Sequence, residues 1–426
     1  MAHMPAAAEP PASPSRWPGL TTQVLIALIL GVALGFLAPD VAKQLRPLAD
    51  LFLRMIKMLI APLLISTLVV GIAGIGDTKT MGRIGLKAMI YFWTATTFAL
   101  CLGLALANLV KPGAGLQIAA SGATAVKAAA DTHRTFGEFL VSLVPTSIFD
   151  AMARGEILQV VVFSGFFGIA LASIGERGRP VYDFMDSLAQ LMFKFTGYVM
   201  VFAPLGVFGS IASTVAGNEG LKVLLTLGKL VLTLYAGLVV FVLVVLVGVS
   251  FLVRVPFTSF FRAIREPFLI AFSTASSEAA LPKALEIMER FGVPKNIVSF
   301  VLPTGYSFNL DGTTLYLSLA SMFVAQLAQV EFTLGQQVSM LLTLMVTSKG
   351  VAGVPRASLV VLTATLTQFG LPLEGAAMIL GVDQFMDMAR TAVNVMGNCI
   401  AAVVVARWEG VFDDEKMRAF ARGGGA

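Results

Sequence analysis

The sequence contains few charged residues for its length. Of its 426 residues, 57% are hydrophobic and only 13% are charged, and the mean hydropathy is +0.85. Soluble globular domains usually have about a quarter of their residues charged, so this composition argues against a soluble enzyme and indicates a polytopic membrane protein. The net charge of +5 is too small and too scattered to indicate nucleic-acid binding.

Histidine and cysteine are equally scarce, with two of each. His3 and His133 lie outside the apolar runs, which disfavours a histidine proton relay or a zinc site. Cys101 and Cys399 lie within apolar runs, where we expect them to pack as small hydrophobic residues. No nucleophile–base pair, metal-ligand cluster or nucleotide-binding loop is recognisable, so we predict neither a metal site, nor a cofactor, nor an enzyme.

Apolar runs of a length that can cross a bilayer, about 20 residues, recur along the chain. They lack the alternation of a transmembrane β-barrel, so we predict an all-α polytopic membrane protein. The predicted spans of the first half are Thr21–Ala38, Leu51–Gly74, Met89–Val110, Val160–Ala172, Leu188–Val215 and Leu221–Leu252. Basic residues before the first span, between the second and third, and after residue 406 predict that both termini are cytoplasmic.

Two later segments are apolar but interrupted. Pro267–Phe291 is broken by the small and polar residues of Ser273–Glu278, and Val338–Leu366 is broken by Thr347–Pro355. Each half is too short to cross, and the polar backbone of each break must be satisfied by protein or water. The pattern predicts two re-entrant helical hairpins meeting tip to tip, each followed by a helix with polar residues, as in inverted-repeat transporters with a midplane site.

The two helices that follow the hairpins carry the polar residues. In the first, Asn309–Thr313 places Asp-Gly between apolar stretches, which predicts an unwound break at membrane depth that binds a cation. The second contains one stripe within roughly 100° of arc at the helical period. Its members are Asp383, Asp387, Arg390, Thr391, Asn394 and Asn398. Polar residues inside a span are costly, so we expect this stripe to face a binding site.

Four segments resemble the signature segments of the dicarboxylate/amino acid:cation symporter family, which includes the glutamate transporters, and in particular its bacterial proton glutamate/aspartate symporters. They are Ser276–Glu278, Pro303–Thr313, Ser348–Pro355 and Asp387–Asn394. The resemblance covers roughly residues 20–412. It implies a homotrimer in the lipid bilayer, each subunit having eight transmembrane helices plus two re-entrant hairpins.

The resemblance also implies a division of the chain. Residues 1–17 and 413–426 are expected to be cytoplasmic tails, and residues 18–253 to contain spans one to six. Residues 254–412 are expected to form the transport core, with both hairpins, a broken span seven and span eight. Spans one, two, four and five would form a scaffold, along which an elevator-like transport domain of spans three, six, seven and eight with the hairpins would slide.

For the substrate, the resemblance implies that Arg390 binds a side-chain carboxylate and that Asp387 binds an ammonium group. A guanidinium fork suits a carboxylate, and a nearby carboxylate attracts an ammonium group, so charge favours L-glutamate or L-aspartate. The alternative substrate is a C4-dicarboxylate such as succinate, fumarate or malate, because Leu317 resembles that branch of the family. The other implied substrate-binding residues are Thr391, Asn394, Ser276, Ser277, Thr313, Val351, Ala352 and Gly353.

The implied coupling site departs from the sodium-coupled members of the family. Where those members keep an aspartate, a methionine and two hydroxyl residues, this chain has Asn398, Leu310, Phe92 and Ala95. Fewer oxygen ligands disfavour a hard cation, so protons are expected as the coupling ion. A sodium-coupled variant remains the alternative, with a residual site at Asn309, Asn394 and Asp311.

A proton would then have to be carried by a carboxylate. The first candidate is Glu278 at the first hairpin tip, with Asp311 and Asp383 behind it. The alternative interpretation of Glu278 is a hairpin cap or a partner of Lys349. Together these features predict a proton-coupled symporter for acidic amino acids in a bacterial cytoplasmic membrane. An anion channel is the rival function, which two occluding hairpins argue against.

Overall fold

The computed structural model describes residues 20–73, 79–116, 141, 144–154, 156–217, 220–350 and 357–421. These residues form helices and short connections without a strand, which confirms the predicted all-α class. The helices before residue 253 are α1 (Leu20–Leu37), α2 (Pro39–Lys43), α3 (Arg46–Ala73), α4 (Lys79–Val110), α5 (Ile148–Arg154), α6 (Ile157–Ser173), α7 (Arg179–Met200), α8 (Ala203–Gly217) and α9 (Gly220–Phe241). Helix α9 continues through a π-helical turn, Val242–Leu246, to Leu252.

The second part of the chain contains eight helices. They are α10 (Phe257–Thr274), α11 (Ser277–Arg290), α12 (Lys295–Phe308), α13 (Asp311–Leu327), α14 (Leu334–Thr347), α15 (Ala357–Gln368), α16 (Glu374–Glu409) and α17 (Asp414–Ala421). A 3-10 turn, Ser348–Gly350, extends α14. The expected tail 413–426 therefore includes a short helix, α17.

Among the residues that the structure describes, four helical stretches are long and apolar enough to cross a membrane: Pro39–Val70, Arg83–Val110, Lys222–Leu252 and Glu374–Glu409. The pair Gly175–Met200 and Ala203–Ala216, which meet at 49°, makes a fifth if counted as one bent span. Large hydrophobic side chains are exposed on the outward faces of these helices, as expected where lipid is the solvent. Length and composition therefore agree with a polytopic membrane protein.

The first of the two predicted hairpin breaks is present in the described residues. Helix α10 ends at Thr274, Ala275 adopts a left-handed conformation with φ of 50°, and α11 begins at Ser277. The Ser276 hydroxyl caps α11 by accepting a hydrogen bond from the Ala279 N–H. The second interruption follows α14, but residues 351–356 lie outside the described part of the chain.

Two connections differ from the sequence-based expectation. The connection before the second predicted span contains α2, and α3 begins at Arg46 rather than at the predicted Leu51, because Leu48, Ala49 and their neighbours pack against α8. The fifth predicted span consists of two helices, α7 and α8. Helix α7 already begins at Arg179, since Pro180 is accommodated in the first turn of a helix.

Helix α16 is the centre of the fold. In its most apolar window, 94% of the residues are buried, whereas the other three long candidate spans have 39–50% of theirs buried. It packs against α4, α9, both helices of the α10–α11 pair, both halves of the broken pair α12–α13, and also α8. The remaining long helices, α1, α3, α6, α7 and α8, pack mainly among themselves. The polar stripe of α16 therefore lies inside protein along its whole length.

Candidate functional site

The break between α12 and α13 places backbone and side-chain polar groups beside the stripe of α16. Helix α12 ends at Phe308 and α13 begins at Asp311, so the unwound residues are Asn309 and Leu310. The expected Asp-Gly break is thus shifted by two residues, because Asp311 and Gly312 already belong to the first turn of α13. A helix begins there because another helix supplies its cap.

That cap is Asn394 of α16. Its Oδ1 accepts hydrogen bonds from the backbone N–H groups of Gly312 at 2.8 Å and Thr313 at 3.3 Å. Its Nδ2 donates to Thr313 Oγ1 at 2.9 Å. A side-chain oxygen that accepts from the first N–H groups of a helix satisfies donors that have no partner within the helix. Asn394 and Thr313 therefore lie together, and they join the broken pair to α16.

Two glycines permit this close approach. A Cβ on Gly312 would collide with the backbone of Arg390, and a Cβ on Gly397 would collide with the Asp311 carboxylate. Any larger residue at either position would push α13 away from α16. The contact between the two helices therefore depends on the absence of side chains at these points.

Arg390 is the most heavily bonded side chain of the site and is completely buried. Its Nη1 and Nη2 donate to the two carboxylate oxygens of Asp383 at 2.9 Å and 3.2 Å, and its Nε donates to Asp387 Oδ1 at 2.9 Å. Nη2 also donates to Ser358 Oγ at 2.9 Å, and the guanidinium carbon lies 4.2 Å from the centre of the Tyr316 ring. Four side chains therefore fix the orientation of the guanidinium group.

This geometry changes the interpretation of Asp383. The sequence suggested it as a proton carrier, whereas in the structure it is the bidentate partner of Arg390, with both side chains 0% exposed. A guanidinium has five N–H donors, and four of them are used here. A ligand carboxylate that binds the fork bidentately must therefore displace at least one of Asp383, Asp387 and Ser358.

Asp387 and Thr391 lie on the same face, one turn apart. Thr391 Oγ1 donates to Asp387 Oδ1 at 3.4 Å, and both residues are buried to 6% exposure. The predicted substrate residues Arg390, Asp387, Thr391, Asn394 and Thr313 thus form one continuous cluster between α16 and the start of α13.

A second cluster lies at the break itself and contains three of the predicted coupling residues. Asn309 Nδ2 donates to Asp311 Oδ2 at 3.2 Å and to Asn398 Oδ1 at 3.1 Å, and all three residues are 0% exposed. Within the described residues, Asn309 Oδ1, Asp311 Oδ1 and Asn398 Nδ2 have no hydrogen-bond partner. Buried polar atoms are normally paired, so the two oxygens, Asn309 Oδ1 and Asp311 Oδ1, mark a place where a proton or cation can bind, whereas Asn398 Nδ2 is a donor.

Lys349 is a charged neighbour of Asp311. It is 5% exposed, and its Nζ donates to Thr96 Oγ1 of α4 at 2.5 Å and to the Phe308 carbonyl at the end of α12 at 2.7 Å. Its charge interacts with the Asp311 carboxylate. Lys349 is therefore a buried cation bonded to the broken pair, and Glu278 is absent from its described hydrogen-bond partners.

The remaining predicted residues have different positions. Ser276 caps α11 and Ser277 is buried at 3% exposure, whereas Glu278 is exposed. Glu278 therefore lacks the burial on which the proton-carrier hypothesis rested, and its role stays a prediction. The cap of the hairpin is Ser276 rather than Glu278. The backbone groups of Val351, Ala352 and Gly353 lie outside the described residues.

Sequence reasoning missed Ser358, Tyr316 and Thr96 as site residues. All three are buried and contact a charged side chain of the site. Hydroxyl groups in apolar helices were the available signal, but many others, such as Thr363 and Thr365, only bond to their own helix. Among the described residues, no group of three His, Cys, Asp or Glu side chains could hold a metal ion.

Residues 20–408 match the model of the sodium:dicarboxylate symporter family. The proton/sodium-glutamate symport protein of Geobacillus stearothermophilus is 47% identical over 410 residues, covering 94% of this chain and 97% of that protein. The proton/glutamate-aspartate symporter of Escherichia coli strain K12 is 47% identical over 420 residues, covering 95% and 96%.

A third relative is named for a different substrate. The C4-dicarboxylate transport protein of Bacillus subtilis strain 168 is 44% identical over 405 residues, covering 93% of this chain and 95% of that protein. The family and these relatives are membrane transporters rather than enzymes, which confirms both the resemblance and the class of function predicted from the sequence. The chain belongs to the sodium:dicarboxylate symporter family.

Proposed function

We propose that this protein is a secondary active symporter that imports L-glutamate or L-aspartate together with protons across a bacterial cytoplasmic membrane. The observation that carries the proposal is the buried pairing of Arg390 with Asp387 on one face of α16, at 2.9 Å. This pair offers a cation for a ligand carboxylate and an anion for a ligand ammonium group within one helical turn. Relatives at 47% identity named for glutamate and aspartate support the same substrate class.

The charge balance of the interior favours a ligand with an ammonium group. The buried charged residues of the described chain are Asp311, Asp383, Asp387, Lys349 and Arg390. Three carboxylates against two cations leave one negative charge uncompensated. A plain dicarboxylate adds two more negative charges to this interior, whereas glutamate adds one. Because unpaired buried charge is costly, the amino acid is the better ligand.

Substrate binding in this proposal requires a local exchange of partners. The side-chain carboxylate of the substrate takes donors of Arg390 that Asp383, Asp387 or Ser358 now hold. Asp387, once released from the guanidinium, accepts the substrate ammonium group. The proposed site is completed by Thr391, Asn394, Thr313, Ser276, Ser277 and the backbone of Val351, Ala352 and Gly353.

Protons are the proposed coupling ions. Asp311 is buried beside Asn309 and Asn398, and its Oδ1 accepts no hydrogen bond from a described residue. A carboxylate in this position can take a proton, which removes the uncompensated charge as the anionic substrate enters. Two amides around a single carboxylate provide fewer charges for sodium than a pair of carboxylates does. Asp311 therefore replaces Glu278 as the first candidate for the proton carrier.

The movement we propose is an elevator motion within a homotrimer. The preferential packing of α4, α9 and α10–α16 with one another, and of α1, α3, α6, α7 and α8 with one another, supports a mobile transport core and a scaffold. The two interrupted helix pairs would act as re-entrant hairpins over the site. Eight membrane spans, with both termini in the cytoplasm, belong to the same proposal.

A C4-dicarboxylate symporter is the second candidate. A relative named for C4-dicarboxylate transport is 44% identical to this chain. Arg390 alone provides the carboxylate receptor that such a substrate shares with glutamate. Asp387 argues against it, since its carboxylate repels a second anionic group.

Uptake by purified protein in liposomes tests the proposal. Labelled glutamate should accumulate when an inward proton gradient is imposed without sodium, and unlabelled aspartate should compete more effectively than succinate or fumarate. Counterflow should saturate, which separates a carrier from a channel. Succinate uptake without aspartate uptake would refute the proposed substrate. Glutamate accumulation that follows only a sodium gradient would refute protons as the coupling ion.

A further inference from the structure

The ammonium group of Lys349 has the surroundings of a bound monovalent cation. Its two described hydrogen-bond partners are a hydroxyl oxygen, Thr96 Oγ1 at 2.5 Å, and a backbone carbonyl oxygen, that of Phe308 at 2.7 Å. The Asp311 carboxylate supplies the opposing charge. Hydroxyl, carbonyl and carboxylate oxygens around one positive charge are the ligands that a hard cation takes in a protein.

The position of the Phe308 carbonyl strengthens this comparison. Phe308 is the last residue of α12, and the final carbonyls of a helix have no partner within it and lie at its negative end. In transporters with broken helices, such half-helix ends coordinate the transported cation. Here the partner of that carbonyl is the side chain of the protein itself.

The burial of the Lys349 charge also has to be compensated by interactions with its surroundings. Lysine is rarely buried unless it is paired, and Lys349 is 5% exposed inside a mostly apolar part of the chain. The other buried cation, Arg390, binds two carboxylates directly, whereas Lys349 has only neutral oxygens at hydrogen-bonding distance in the described residues. Its place is thus between the broken pair and the second hairpin rather than in the substrate cluster.

We propose that Lys349 is a tethered cation, which occupies a monovalent-cation site at the end of α12 and joins the first helix of the second hairpin to α12 and α4 without sodium. Lys349 belongs to the turn Ser348–Gly350, which directly follows the first helix of that hairpin, α14. Its ammonium group therefore joins α14 to both α12 and α4. The inference rests on the proposed function, since it supplies the reason why this chain can use protons alone. It predicts that removing the side chain exposes a site for free sodium.

Three variants of Lys349 and one control define the test. Lys349→Ala removes the ammonium group and leaves space for a sodium ion, whereas Lys349→Met removes the charge but fills the space. Lys229→Ala is the matched control, because Lys229 Nζ also donates to a backbone carbonyl, that of Lys111 at 3.1 Å, on an exposed surface away from the site. The double variant Lys349→Ala with Thr96→Val also removes the hydroxyl ligand.

The first measurement is the thermal unfolding midpoint of the detergent-purified, substrate-free protein with sodium chloride or choline chloride. Sodium should raise the midpoint of Lys349→Ala, with little effect on the wild type, Lys349→Met, Lys229→Ala or the double variant. This readout needs no assumption about the substrate. Absence of a sodium response in Lys349→Ala, or an equal response in the double variant, would overturn the proposal.

The second measurement is glutamate affinity at constant pH with and without sodium. Lys349→Ala should bind roughly tenfold more weakly than the wild type in choline and recover in sodium, because a charge-assisted contact that holds the hairpin is lost and then replaced. Lys349→Met should be weak in both salts. A wild type whose affinity rises with sodium as much as that of Lys349→Ala would refute the tethered cation. Failure of the wild type to bind glutamate would refute only the proposed substrate, since the unfolding measurement is independent of it.

Discussion

Replacing Asp387 by Asn should separate an amino-acid site from a dicarboxylate site. Asn retains an oxygen that can accept the 2.9 Å hydrogen bond from Arg390 Nε and the 3.4 Å bond from Thr391 Oγ1, so the surroundings of Arg390 need little change. What disappears is the negative charge that the proposed substrate ammonium group requires. The variant therefore tests charge recognition with little change of shape.

The expected size of the effect follows from one hydrogen bond between charged groups. Such a bond contributes about 1.5–3 kcal/mol, which corresponds to a loss of glutamate affinity of roughly 10- to 150-fold. Succinate has no ammonium group, and the variant removes a negative charge that would repel it. Its affinity should stay unchanged or increase.

Isothermal titration of both ligands against the purified variants measures this difference, and counterflow in liposomes checks that binding leads to transport. The matched control is Asp383→Asn, which removes the same charge from the same guanidinium on the other side of the fork. Asp383→Asn should change the affinities for glutamate and for succinate in the same direction. Equal losses of glutamate and succinate in Asp387→Asn, or unchanged glutamate affinity, would refute the assignment of the ammonium group to Asp387.

Three further changes test the surroundings of the site. Asn394→Leu should lower the apparent unfolding midpoint and reduce the free energy of unfolding by about 1–3 kcal/mol, because the first buried N–H groups of α13 lose their acceptor. An unchanged midpoint would contradict this. Gly397→Ala should impair both folding and uptake, since its Cβ collides with a buried carboxylate, whereas Gly248→Ala, with open space, should be neutral in both assays. Outside the membrane, two hydrogen bonds from an arginine hold the pKa of Asp414 below its usual range, so its stabilisation is present above the ordinary pKa and is lost only as pH falls through the lowered one. Asp414→Asn should therefore lower the unfolding midpoint equally at pH 7.5 and 5.5, and a difference between these two values would contradict the assignment.

The sequence determined the class of the protein and the residues that contain the chemistry. Hydrophobic runs, helix breaks and the polar stripe of α16 are local patterns, because the helical period alone places Asp387, Arg390 and Asn394 on one face. The break near Asn309 followed in the same way from polar residues between apolar ones. The sequence did not predict that the break lies two residues earlier than Asp311–Gly312, since the cap of α13 is Asn394, which comes from a distant part of the chain.

Only the tertiary structure decided which polar groups of other helices meet the charged side chains. Lys349 and its ligand Thr96 are 253 positions apart, and Ser358 reaches Arg390 from another helix, so no periodicity could join them. The same packing left Glu278 exposed. The pairs of Arg390 with Asp383 and Asp387, by contrast, form within α16 itself. A side chain's charge is written in the sequence, but its partner depends on which helices lie next to each other, because electrostatic pairing in a buried site acts over a few ångströms of space and not along the chain.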